Sequence, residues 1–439
     1  GLLQVRETDG AGEEIILDED RGAYVDIRSV VWLKGTGLGI NRFVRWDWQY
    51  GGYSNSSSAT EMTETIWDYP SYQFTASFVA QAHLTPADRV QRATEIVAEH
   101  RSSTAGHLSV RHAGRSVDVA VGTTSDGVAA AVDDLFPTYC ATKPLLPLLL
   151  AASAPHLLDA GVDVLAAPVT DGGAPGGRHP ASVSVASMLT HEAGLAAPTA
   201  ISWRLFGLDL TDEEVIGSIL LADRPVYSDF VAWALIEMIF SKESGRSSAE
   251  AIHHDLLVPL GLADELHVSA STLDPLRPVT VPVASEREGT IPMLSEALPS
   301  ELDLLRPAFG AVASTRALAD LMGAVLRVVD GESVDGLPPP WSVARLLELR
   351  GGAVDDPVVG RRLCFAGGFM ANHAAGSLGG LSSAAIGHLT GLFPSGMAAD
   401  PEADLAVAFR LNGTIQTSEE LVGLQTRALS AAAEAVGSW

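Results

Sequence analysis

Strand-like alternation lies towards both ends of this chain and helical periodicity lies between, an order that leaves few folds open. On one side, "GHLSVRHAG" and "RSVDVAVGT" alternate apolar and polar residues and meet at Ala113-Gly114, the composition of a tight hairpin. On the other, "DLAVAFRLNGT" reads as a strand and is followed by a C-terminal helix from about Ser418 to Val436. Between them run the helical segments "SVASMLTHEAGL", "YSDFVAWALIEMIFSKES" and "STRALADLMGAVLRVV", the last with Ser314 as its N-cap. A proline- and glycine-rich loop, "VTDGGAPGGRHPASVS", precedes the first of these. The order predicts an α+β protein, an antiparallel sheet flanked by helices and built from both ends of the chain, with a helical domain inserted. The sheet is expected from about 105–130 and 380–439, and the helical part over about 140–330.

Residues 1–80 read differently. They hold Trp32, Trp46, Trp48 and Trp67, half of the eight tryptophans, and "AYVDIRSVVWL" alternates as strands do. "YGGYSNSSSATEMTE" is expected to be a polar loop between the aromatic stretches "FVRWDWQY" and "IWDYPSYQF". This is an N-terminal, partly β extension ahead of a domain spanning 81–439. That domain opens with the amphipathic helix "LTPADRVQRATEIVAEHR", with Thr85 as N-cap and Pro86 at the first helical position.

Composition narrows the partners. A formal charge of -26 excludes the basic footprint that nucleic acid or an anionic membrane requires. No apolar run reaches the ~20 residues of a membrane-spanning helix. The acidic N-terminus lacks the basic and apolar regions of a secretory signal, so a cytoplasmic protein is expected. The two cysteines, Cys140 and Cys364, are expected to be free thiols, and the pair His253-His254 has no companion ligands at metal-binding spacing. No Gly-rich phosphate loop is present, and no cofactor is expected.

The chemistry concentrates in "LFPTYCATKPLLPLLLAAS", where Cys140 precedes Lys143 by three residues at the start of an apolar segment. Of the 28 lysines and arginines, three are lysines: Lys34, Lys143 and Lys242. If a helix begins near Ala141, Cys140 sits at its N-terminal end with Lys143 one turn on, and both the helix terminus and the cation favour a thiolate. On these residues alone, a buried cysteine packed as a small hydrophobe beside a surface lysine is the plainer alternative. Pro147 cuts into the interior of such a helix.

Five segments in order then resemble the serine β-lactamase and penicillin-binding-protein superfamily, in particular its class C β-lactamase-like esterases and transacylases. "DDLFPTYCATKPL" is similar to the approach to the family's Ser-x-x-Lys helix. "VSVASMLTHEAGL" resembles its Leu-Leu-Thr-His-x-x-Gly-Leu segment and "FGAVASTRALADLM" its Gly-Gly-Leu-x-Ser-Thr segment. "VYSDF" falls where Tyr-x-Asn belongs, and "GHLTG" with "ADPEADLAVAFRLN" resembles the late His-Thr-Gly strand and its partner. The resemblance covers about four fifths of the chain and implies a β-lactamase-like fold. It makes Cys140 the nucleophile in place of serine, Lys143 the group that accepts or orients its proton, and Tyr227 the second member of the acid/base set. It also implies that His388, Thr390 and Gly391 line a strand edge beside the site, and that the Cys140 N–H contributes to an oxyanion hole.

Three departures from the family pattern shape the expected chemistry. Cysteine replaces serine, Asp229 replaces the asparagine of Tyr-x-Asn, and "HLTG" has one residue more than His-Thr-Gly. An aspartate near Lys143 would hold the lysine protonated, which suits a thiolate, and would suit an ammonium-bearing substrate better than a β-lactam. A thioester favours amines over water more than an oxygen ester does, so the exchange tilts an acyl-enzyme from hydrolysis toward transfer. The expected activity is an acyltransferase passing the acyl group of an ester or thioester donor to an amine or alcohol acceptor. The lysine-poor, arginine- and alanine-rich composition fits a high-GC bacterium and, by family analogy, specialised-metabolite (antibiotic) biosynthesis. An esterase or peptidase of the same fold and a non-catalytic binding protein that kept the fold remain the alternatives. The extension at 1–80 would either cover the site or supply packing or a dimer contact.

Overall fold

The computed structural model describes residues 2–7, 14–17, 30–36, 41–50, 53–57, 61–65, 72–80, 87, 90–91, 94, 105–123, 128–164, 183–196, 220–221, 224–227, 231–273, 308, 310–356, 360–373, 376–391, 393–412 and 417–436. Thr85, Pro86, Asp229 and most of the glycine-rich stretch 169–184 lie outside them. The chain divides into two compact units, one comprising Gly1–Ile96 with Glu434–Trp439 and the other Val97–Ala433.

The first unit contains two antiparallel sheets. One has strands in the order Glu14–Leu17, Leu2–Glu7, Val30–Thr36, Glu61–Thr65, and the other in the order Tyr53–Ser57, Asn41–Tyr50, Tyr72–Ala80. The segment expected to be a polar loop therefore supplies two strands, with Tyr50 paired to Tyr53. Both are edge strands, where main-chain pairing suffices and a run of Ser, Thr, Asn and Glu meets no apolar requirement.

The second unit is organised on an eight-stranded antiparallel sheet. Its strands are β1 (Ala105–His112), β2 (Arg115–Gly122), β3 (Val354–Asp356), β4 (Arg361–Ala366), β5 (Phe369–Ala371), β6 (Ile386–Leu389), β7 (Ser395–Asp400) and β8 (Leu405–Asn412). They lie in the order β3-β4-β5-β6-β7-β8-β1-β2. Ala113 (φ 48) and Gly114 (φ 71) close the β1-β2 hairpin in the left-handed conformation a two-residue turn requires. β8 pairs with β1 along its whole length, from Leu405 with His112 to Asn412 with Ala105, so the sheet does join the two sides of the chain. It takes strands from Val354 onward, earlier than about 380. β3 and β5 are three residues long and β4 opens on Arg361-Arg362, so alternation has too little length to register there.

Helices fill the stretch between and after: α1 (Leu145–Ser153), α2 (Val185–Leu189), α3 (Val231–Ser244), α4 (Thr315–Val329), α5 (Pro340–Glu348) and α6 (Ser418–Val436). Ser314 caps α4 by accepting from the Ala317 N–H (3.0 Å), and Ser184 and Ser187 form a capping box on α2. α4 packs across β8, β1 and β7, tied down where Ser109 donates to Thr315 (3.0 Å) and Arg111 pairs with Asp320 (2.6 Å). The apolar core runs from α1 through α3 and α4 to Met397, Ala406 and Ala408 of the sheet. Among the described residues no helix is long and apolar enough to cross a membrane.

Candidate active site

The segment around Cys140 begins as strand and ends as helix, with a tight 3-10 turn over Tyr139–Thr142 between. Phe136–Pro137 pairs with Val312–Ala313, which pairs in turn with Leu266–His267. The α-helix starts at Leu145 rather than near Ala141, so Cys140 lies inside the 3-10 turn and Lys143 closes it, its N–H donating to the Cys140 carbonyl (3.1 Å). Pro147 consequently falls in the first turn of α1, where an N–H would have no intrahelical acceptor, and does not break the helix.

Two threonines fix this turn from either side of Cys140. Thr138 donates its N–H (2.9 Å) and hydroxyl (3.1 Å) to the Ala311 carbonyl, while the Ala311 N–H donates to Thr142 Oγ1 (3.1 Å). The two hydroxyls meet at 2.8 Å. Tyr139 is held at φ 47, a conformation costing a non-glycine residue about 1–3 kcal/mol and kept only where the surroundings over-determine it. Its ring stacks on Phe393 (4.9 Å), and burial pushes its phenol up to about 12. The turn packs against β6 and β7. Cys140 and Cys364 are both buried, and neither is in a disulfide.

Lys143 is fully buried. Its ammonium donates to the Ala308 carbonyl (3.4 Å) and lies 5.6 Å from the ring centroid of Tyr227 and 5.9 Å from that of Trp233. Tyr227 is placed by a short parallel bridge beside β3, Val226 facing Asp355 and the Tyr227 N–H donating to the Asp355 carbonyl (3.0 Å). His388, on β6, is fully buried and its Nδ1–H donates to the Leu389 carbonyl (2.9 Å), leaving Nε2 as an acceptor with no hydrogen-bond partner. Burial, and then the charge of Lys143, hold His388 well below the ordinary histidine value.

The extra residue in "HLTG" does not disturb the strand: His388 pairs with Met397 and Leu389 with Gly396, and the Thr390 N–H donates to the Ser395 carbonyl (3.1 Å). The Thr390 hydroxyl is engaged within its own turn, donating to the Phe393 carbonyl and accepting from the Phe393 N–H (3.1 Å). Gly391 follows in the same turn. Tyr227 and His388 thus lie around the buried Lys143 ammonium, Cys140 sits in the turn that Lys143 closes, Thr390 and Gly391 share the turn after β6, and Asp229 lies outside the described residues.

Sequence reasoning passed over His191. It follows α2 at φ 57, and its ring lies 4.6 Å from Tyr227, 5.1 Å from Trp233 and 4.2 Å from Phe365. Burial, the charge of Lys143 and then His388 lower its pKa well below the usual value. It sits within "THEAGL", a segment noted for its order in the chain but not for its histidine. With Trp233 and Phe365 it completes an aromatic wall around Lys143 and Tyr227. Among the described residues no group of three or more His, Cys, Asp or Glu side chains suits a metal ion.

The Beta-lactamase family model matches residues 90–432, well over half of the chain. No curated protein sequence matches at a significant level. A penicillin-binding protein homolog from Caulobacter crescentus is 20% identical, with a TM-score of 0.58 over 79% of this chain and 97% of that one. The D-amino acid amidase of Ochrobactrum anthropi SV3 complexed with L-phenylalanine amide is 16% identical, with a TM-score of 0.60 over 79% and 98%. EstCE1, described as a hydrolase with promiscuous acyltransferase activity, is 18% identical, with a TM-score of 0.56 over 79% and 98%. At these identities the likeness is one of fold.

Proposed function

The chain belongs to the beta-lactamase family, whose members work through an acyl-enzyme, and on that premise we propose that it is a transacylase with Cys140 as nucleophile. The observation that carries the proposal is the pairing of Cys140, inside a turn latched to Ala311, with a fully buried Lys143 whose ammonium lies 5.6 Å from the Tyr227 ring.

The Cys140 thiolate attacks the carbonyl carbon of an ester or thioester donor, and the oxygen takes the negative charge of the tetrahedral intermediate, facing the Cys140 N–H. Collapse breaks the bond to the leaving group, which takes a proton through Tyr227 and Lys143, and a thioester on Cys140 remains. An amine or alcohol then attacks the thioester, loses its proton to the same pair, and leaves as amide or ester while the thiolate is restored. The two buried histidines, held neutral, leave Lys143 as the cation at the centre of this arrangement. The replacement of serine by cysteine supports transfer over hydrolysis, and EstCE1, described as a hydrolase with promiscuous acyltransferase activity, lends the reading support from a structure of the same fold. We place the reaction on small-molecule donors and acceptors in bacterial specialised-metabolite assembly.

Intact-protein mass spectrometry with a panel of activated acyl donors tests this, with Cys140→Ala as control. An adduct confined to Cys140 that disappears faster with an added amine than in buffer is the expected result. An adduct that decays equally in both would make the protein an esterase, the activity named for another structure of this fold. No adduct from any donor would favour a binding protein.

A further inference from the structure

Behind the Cys140 turn, three side chains stand in a row that the proposed acyl transfer does not use. Ser395 on β7 pairs with Arg410 on β8, and Arg410 pairs with His107 on β1, so all three project from one face of the sheet. They are 3%, 2% and 2% exposed. Each leaves a buried polar atom without a hydrogen-bond partner: Ser395 Oγ, both Nη atoms of Arg410 and His107 Nδ1. We propose that the Arg410 guanidinium and the Ser395 hydroxyl, the donors of this row, bind a free, chloride-sized monovalent anion, with His107 closing one end rather than donating to it.

The charge on Arg410 calls for one. Its guanidinium lies over the rings of Phe136 and Phe393, 5.4 and 5.2 Å from their centroids, faces that stabilise a cation without fully replacing hydrogen-bond acceptors for its N–H groups. Burial brings its pKa down to about 10, which leaves it charged at neutral pH. Tyr139, the group whose ionisation would offset that charge, is itself pushed up to about 12 and stays a neutral phenol. The carboxylate of Asp134 is engaged elsewhere, accepting from His107 Nε2 (3.1 Å) and from the Ala131 N–H (2.9 Å). Burying a cation without a counter-charge is strongly unfavourable. Two guanidinium nitrogens and the Ser395 hydroxyl offer donors to a small anion, and the sealing of all three side chains excludes a carboxylate carried by a larger molecule. The site adjoins the nucleophile turn, because Phe393 both lies 5.2 Å from the guanidinium and stacks on Tyr139.

Crystals of the full chain grown in sodium bromide, with data collected at the bromine absorption edge, test the site directly. An anomalous peak within hydrogen-bonding reach of Arg410 Nη1 or Nη2 is expected. In solution, replacing sodium gluconate by sodium chloride at fixed ionic strength should raise the melting midpoint saturably, and Arg410→Met should abolish that response. If Arg410→Met does not fold, the bromide peak and the wild-type chloride titration decide. A water in place of bromide, with equal melting in chloride and gluconate, would overturn the proposal.

Discussion

The indole N–H of Trp233 donates to the main-chain carbonyl of Lys143 at 2.8 Å, both groups buried, and so ties α3 to the turn that holds Cys140. Trp233→Phe keeps an aromatic ring in place but leaves that carbonyl without its donor. The expected cost is about 1–3 kcal/mol in urea unfolding.

Lys143→Met should slow acylation of Cys140 about 10²–10⁴-fold, the range for a positioned acid/base group, as read from adduct formation over time. Lys143→Arg should not restore the rate, since a planar guanidinium does not fit a site enclosed by Tyr227, Trp233 and the Ala308 carbonyl.

Tyr227→Phe keeps the ring contacts with His191 (4.6 Å) and Phe365 (5.7 Å) and removes only the phenol. A fall of about 10²-fold or more in the rate of acyl transfer, with a melting midpoint close to wild type, is expected if the hydroxyl moves the proton. An unchanged rate would confine Tyr227 to packing.

His191 and His388 make stability pH-dependent on the acid side. Their folded-state pKa values lie well below 6.5, lowered by burial and then by Lys143, so the unfolded chain binds protons that the folded chain does not. Stability is therefore full above about pH 6.5 and falls below it, by about 1.4 kcal/mol per pH unit for each histidine until the folded group itself titrates. His388→Gln should make this slope shallower, as measured by urea midpoints between about pH 7.5 and 5.

Gly387 lets β6 and β7 close on each other beside His388. A Cβ there would press on the Met397 carbonyl and come within 2.7 Å of Ala398 Cα, both backbone atoms of the paired strand. Gly387→Ala should destabilise the protein by about 1–3 kcal/mol or more and displace His388, which chemical denaturation and the loss of Cys140 acylation would register together.

Features whose cause is local were legible in the sequence. The Ala113-Gly114 turn, the Ser314 cap and the 418–436 helix each follow from a few neighbouring residues, and each appears as expected. The edge strands at 53–57 and 61–65 were not legible, because their pairing is made by main chain and places no demand on side chains. The same limit applies to the site. The spacing of Cys140 and Lys143 can be read along the chain, whereas His191, Trp233 and Phe365 come from three separate elements and meet only because α2, α3 and β4 converge.

The pairing of β1 with β8 also sets a schedule. Ala105 and Asn412 are neighbours in the sheet yet about 300 residues apart in the chain, so the β1-β2 hairpin leaves the ribosome long before its partner strand exists. Until β8 arrives, Ala406 and Ala408 are missing from beneath α4, and the central strand between β1 and β7 is absent. A nascent chain stalled anywhere before Leu405 would carry Cys140 on an incomplete sheet, so the site is assembled only after β8 has been made.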